Sequence, residues 1–196
     1  MGVALGLLGL VVIVAGFLVW LRWEPTPGEV DTAIPQFEAN LADVESELGP
    51  DHPTTLESRN NLAVVYEAAG DLGRAIPLLE ANLAASERVL GADHPDTLTT
   101  RNNLALAYQG SGDVGLAIAL FEVAAADAER VLGPDDIRTI ATRDNLAVAY
   151  RDAGDLDRAL PLLQASVADR ERLLGPDHPD TVVSRDILDD ARRSAP

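Results

Sequence analysis

LGADHPDTLTTRNNLALAYQGSGDVGLAIALFE, residues 90 to 122, decides the fold of this 196-residue chain, because the phrase returns on both sides of itself. Gly49, Gly91, Gly133 and Gly175 stand 42 residues apart. Thr55, Thr97, Thr139 and Thr181 keep the same step, as do Arg59, Arg101, Arg143 and Arg185, and Leu62, Leu104, Leu146 and Leu188. Tyr66, Tyr108 and Tyr150 recur, with the pairs Gly70-Asp71, Gly112-Asp113 and Gly154-Asp155, and then Ala75, Ala117 and Ala159. A fixed period between about 20 and 50 residues marks a repeat architecture.

Each period writes two helices. TTLESRNNLAVVYEAAGD (54–71) sets Leu62, Val65, Tyr66 and Ala69 three and four residues apart, one apolar stripe. Gly70 stops that helix, since glycine enters the left-handed region without steric cost. Asp71 caps the next, whose stripe is Ala75, Ile76, Leu79, Leu83 and Ser86. Neither helix buries its stripe alone, so the units must stack.

All three histidines fall in one phrase, GPDHP at 49–53 and 175–179 and GADHP at 91–95. Pro53, Pro95 and Pro179 suit a first helical position, where a missing N–H costs nothing. Asp51 and His52 stand where polar side chains meet the free N–H groups of the next helix. The third unit keeps the frame but carries Asp136-Ile137 instead of His-Pro. Whole repeats separate the histidines, unlike the close ligand spacing of a zinc site. The phrase therefore reads as a turn, and no metal or cofactor is expected.

The chain has no cysteine, and its 15 basic residues are all arginine. That excludes disulfides and thiolates, a phosphate loop built on lysine, and any lysine Schiff base. A formal net charge of −17 and 4% aromatics argue against nucleic acid as a partner. No Ser/His/Asp or paired-carboxylate constellation stands outside the repeat frame, so no enzyme is expected.

Residues 2–21, GVALGLLGLVVIVAGFLVWL, carry no charge. As a helix, twenty residues reach about 30 Å, the thickness of a hydrocarbon core. Trp20 and Trp23 flank Arg22 at its end, an interfacial belt. A single transmembrane helix is the expectation. A cleaved secretory signal is the competing reading, which this segment fits less well, having no charged n-region and no clean cleavage site. Arg22 orients the repeats toward the cytoplasm. Residues 22–32, with the Pro- and Gly-containing EPTPGE, read as a juxtamembrane linker.

The motif LGxDHPxTLxxRNNLAxxYxxxGDxxxAIxLxE resembles the tetratricopeptide repeat family in its 42-residue, kinesin-light-chain-like variety, and the composition resembles that of a high-GC bacterium. Ala63, Tyr66, Gly70 and Ala75 match the family's packing positions. The resemblance implies an all-α superhelical solenoid over residues 33–193. It comprises a half repeat at 33–46, full repeats at about 53–89, 95–131 and 137–173, and a half repeat at 180–193 that ends as a polar cap. Pro35, Pro77 and Pro161 fall inside second helices, where a proline forfeits a hydrogen bond.

By the same resemblance, first helices line a concave groove that receives peptides. The groove positions are Asn60, Asn61, Asn102, Asn103, Asp144 and Asn145, then Val64, Leu106 and Val148, with Glu67, Gln109 and Arg151 beyond. An amide both donates and accepts, so an asparagine column satisfies an extended backbone without selecting side chains. The same asparagines can instead bind one another. Arg59, Arg101, Arg143 and Arg185 form a second column, read as making internal ion pairs rather than meeting an acidic ligand. The resulting expectation is a membrane-anchored scaffold for a protein or peptide partner; the alternative is a regulatory subunit or remnant of a bacterial signalling ATPase system.

Overall fold

Glycine turns and polar caps cut the chain into helices at the same places in every period. The structure, a computed structural model, describes residues 27–194. The helices are α1 (Pro27–Leu48), α2 (Pro53–Ala68), α3 (Leu72–Val89), α4 (Pro95–Ser111), α5 (Val114–Leu132), α6 (Ile137–Asp152), α7 (Leu156–Leu174) and α8 (Pro179–Arg193). The apolar segment 2–21, expected to cross a membrane, lies outside the described residues. Among those described, no helix is long and apolar enough to do so.

The chain divides into two compact units, Met1–Leu90 and Gly91–Pro196. In the first, α1 packs on α2 and α2 on α3. Its core joins Val30, Ala33 and Val65 to Leu62, Tyr66 and Ala75, over Ile34 and Phe37. Helix α1 begins at Pro27, inside the stretch read as linker. Proline is tolerated in a first turn, and Val30, buried against Val65, extends the apolar stripe upstream of residue 33.

In the second unit each helix from α4 to α8 packs on its neighbours in sequence. One cluster gathers Ala105, Ala117, Phe121, Leu146, Ala149, Tyr150 and Ala159; another holds Ala147, Leu163, Val167, Leu188 and Ala191. Alanines at 105, 117, 147 and 159 are wholly buried, which lets the helix backbones approach closely. On α8 the frame changes. Val182 is 41% exposed where Leu98 and Ile140 are 5% and 0%. Asp189 and Arg192 take the places of Ala147 and Tyr150, so that face is polar, as the cap reading expected.

The turn phrase does what its spacing implied. The Nδ1 atoms of His52, His94 and His178 each accept from the backbone N–H two residues on, at 3.2 Å, and Asp136 does so at 2.8 Å. Thus the histidines and their replacement are N-caps. Asp51 does something else. Its carboxylate receives two bonds of 2.8 Å from Arg88, 37 residues on. At the first-helix ends, Asp71 N–H bonds to Tyr66 O at 2.8 Å around Gly70, whose φ is +73°. That six-to-one closure satisfies an otherwise orphaned carbonyl.

Pro35, Pro77 and Pro161 sit in exposed positions of α1, α3 and α7. The carbonyls they leave free, at Gly73 and Asp157 for the latter two, belong to exposed residues. Exposure of these residues to solvent limits the cost of the lost bond.

Candidate interaction face

First helices reach their neighbours through polar side chains about one period apart. In the second unit Asn145 Nδ2 donates to Asn102 Oδ1 at 3.0 Å. Gln109 Nε2 donates to Asp152 Oδ2 at 2.6 Å, and Arg151 lies 3.8 Å from Asp190. These contacts run from α4 through α6 to α8 and hold one face of the first helices in register. The asparagine column is therefore partly internal: Asn102 and Asn145 share a hydrogen bond and are buried, with Asn103. Leu106, Val148, Gln109 and Arg151 on the same helices remain half-buried and reachable. In the first unit Asn60, Asn61, Val64 and Glu67 of α2 are likewise half-buried.

Asp144 departs most from its expected place. It is 0% exposed, and Arg170 of α7, also 0% exposed, donates Nη1 to its Oδ2. The same Nη1 donates to Ser184 Oγ of α8 at 2.6 Å. Burial pushes the Asp144 carboxyl up, and the Arg170 charge pulls it back. A groove carboxylate was expected; a buried ion pair joining α6, α7 and α8 is found. The physical reason is compensation. Asn102 and Ala128 occupy the same two frame positions one period earlier, and both have changed together to Asp144 and Arg170. Sequence reading missed Arg170, although two departures from the frame 26 residues apart were the available signal.

The same 26-residue step organises the arginine column. Arg101 reaches Asp127 and Arg143 reaches Asp169, both at 2.8 Å. Where the acid is absent, the arginine turns back. Arg59 would meet Ala85 and instead donates to Glu45, 14 residues earlier, at 2.9 Å; Arg185 uses Glu171 in the same way. The column is internal, as expected, and these carboxylates lie on α1, α5 and α7.

Two tyrosines add a repeated triad. Tyr66 donates to Glu38 at 2.7 Å and Tyr150 to Glu122 at 2.5 Å. Arg74 and Arg158 stack over the rings at 4.2 and 4.1 Å. Burial, reinforced by the carboxylate, raises both phenols. Glu67, at the edge of the α2 face, is pushed up to about 7 by burial alone.

Sequence profiles of the tetratricopeptide repeat match residues 28–81 and 60–130, and a second such profile matches residues 139–180. No curated protein matches the chain significantly. Among solved structures, a protein of Podosopora anserina described as a putative kinesin light chain with nearly identical TPR-like repeats is 31% identical. That match covers 89% of this chain and 82% of the other, with a TM-score of 0.73. A single-substitution form of the same protein gives 30% identity, the same coverage and a TM-score of 0.74. BtubC (BKLC) from P. vanneervenii, at 23% identity, shares the fold, with a TM-score of 0.70 over 85% of this chain and 67% of that one.

Proposed function

Because this chain belongs to the tetratricopeptide repeat family, we propose that it is a membrane-anchored scaffold whose first-helix faces hold a segment of a partner protein. The observation that carries the reading is the side-chain arrangement of α4, α6 and α8. Amide and carboxylate pairs, those of Gln109 with Asp152 and Arg151 with Asp190 among them, fix these helices side by side, while Leu106 and Val148 stay half-buried between the pairs. Half-buried aliphatic groups supply apolar contact, and the flanking amide and guanidinium supply directed hydrogen bonds, the mixture a peptide site needs. In the first unit Asn60, Asn61, Val64 and Glu67 offer the corresponding surface. Asn102, Asn103, Asp144 and Asn145 act beneath it, as framework.

Residues 2–21 anchor the scaffold in a membrane and Arg22 keeps the repeats on the cytoplasmic side. The scaffold turns over no substrate. A photoreactive amino acid at Leu106 of the full chain, in cells, traps a protein partner; the same group at Ala165, on the exposed side of α7, does not. Crosslinks from position 165 alone would refute the face. For the anchor, the chain resists carbonate extraction from membranes, and its release would refute that part.

A further inference from the structure

Glu67 stands half-buried in the last turn of α2, and no side chain among the described residues bonds to its carboxylate or pairs with it. Each arginine of the first unit from residue 27 onward is engaged elsewhere: Arg59 by Glu45, Arg74 by Asp71 and Glu38, Arg88 by Asp51. The helix adds to the imbalance, since its C-terminal end carries partial negative charge and that turn holds no basic residue. In the second unit the same position is settled internally. Gln109 donates to Asp152 at 2.6 Å, and Arg151 supplies the last turn of α6 with a cation, 3.0 Å from Asp152. Burial alone acts on Glu67, raising its carboxyl to about 7. A half-buried carboxylate that nothing in the chain answers marks a place where an outside group completes the chemistry.

We propose, resting on the scaffold reading above, that the partner segment held by the first-helix face sets a cationic side chain, arginine foremost, against Glu67. Val64 lies three residues before Glu67 and four before Ala68, so the three share one half-buried patch of α2. The aliphatic stem of an arginine covers Val64 and Ala68, as long charged side chains do on apolar surface. Its planar head meets the carboxylate with two parallel N–H···O bonds and also faces the negative end of the helix. Asn61, half-buried one turn back, offers an amide to the backbone of the same segment. Lysine brings the same charge, but its ammonium is more strongly hydrated and costs more to place in a half-buried site. An acidic segment is repelled by Glu67 and by the net charge of −17. Glu67 thus trades stability for recognition: ionised and alone it opposes folding, and the arriving guanidinium removes that penalty.

The test titrates the full-length chain, in detergent at pH 8, with N-acetyl-arginine amide and with its uncharged citrulline counterpart. Backbone amide shifts of Val64 and Glu67 in ¹H–¹⁵N spectra report binding. Saturating shifts at both are expected with the arginine probe. Binding about tenfold weaker is expected for the citrulline probe, and for the arginine probe on the Glu67→Gln chain. Glu67→Gln removes a folding penalty, so a lost response in that chain is not lost structure. Equal responses to the two probes, or an unchanged response in Glu67→Gln, would overturn the assignment. In cells, a photoreactive amino acid at Val64 identifies the native occupant. An arginine or lysine beside the crosslinked position is expected, and a captured segment with no basic residue there would also overturn it. The two readings separate: absence of crosslinks from Leu106 refutes the scaffold, whereas the probe titration measures the Glu67 site whether or not a partner is captured.

Discussion

The helix pairs α4–α5 and α6–α7 share a backbone frame and solve it with different chemistry. Beneath the first-helix face, the earlier pair has Asn102 over Ala128 and the later pair has Asp144 over Arg170. On the outer side of the second helix, the earlier pair has Leu116 and Ala119 and the later has Arg158 and Pro161. The interior change is compensated within the pair: a buried carboxylate is accompanied by a guanidinium that donates to it. The exterior change has no such counterpart. A buried charge without a partner carries a large solvation penalty, whereas an exposed leucine costs little. Substitutions that place a charge inside the array must therefore come in pairs, whereas single substitutions outside it are free to create new surface.

The largest expected effect breaks the interior pair. Arg170→Ala strands Asp144 and should lower the unfolding free energy by roughly 3–5 kcal/mol. The double change Asp144→Asn with Arg170→Ala reproduces the chemistry of Asn102 and Ala128 and should recover most of that loss. Urea unfolding measures both; a double variant as unstable as the single one would show that the pair is not compensatory.

A smaller effect concerns the position that holds Glu67, Gln109 and Arg151 in successive first helices. The folded-state value of Glu67 is raised from 4.5 to about 7, so the folded protein binds the extra proton more tightly than the unfolded chain. The stability it contributes is fully present below pH 4.5 and is lost as the pH rises through 7. Glu67→Gln, which copies Gln109, should stabilise the protein at pH 8 by about 3 kcal/mol. That advantage should vanish near pH 4; a difference independent of pH would place its origin elsewhere.

The smallest effect tests the caps. Asp136→Ala removes the side-chain acceptor at the start of α6 and should cost about 1 kcal/mol in thermal or urea unfolding. Asp136→His, which installs the group used by α2, α4 and α8, should keep most of it. If histidine proves as poor as alanine, the two caps are not interchangeable.

The repeat frame made the fold readable because its signals are local. Glycine at positive φ, proline at a first helical position and alanine at a close helix contact each act within a few residues. The role of the histidines was readable on the same grounds. Less legible were features that depend on two elements at once. The start of α1 at Pro27 follows from Val30 finding Val65, a contact that no pattern between residues 22 and 32 announces. The burial of Asp144 needed Arg170 to be noticed, and the partners of the arginine column depend on whether residue 85, 127 or 169 is acidic. Asn102 and Asn145 belong to the predicted column, and of its two readings the one in which asparagines bind one another holds there, because neighbouring first helices lie close enough for side chains to meet.

The 26-residue tie between Asp144 and Arg170 also constrains how such a gene can change. Recombination between sister repeats can copy any stretch of DNA onto its neighbour. A tract ending in the Gly154 turn would replace one member and leave the other alone. A tract bounded by the Gly133 and Gly175 turns would carry both. The interval between two DHP-type turns is thus the unit that can move without breaking the tie, whereas a tract covering a single helix would strand a buried charge.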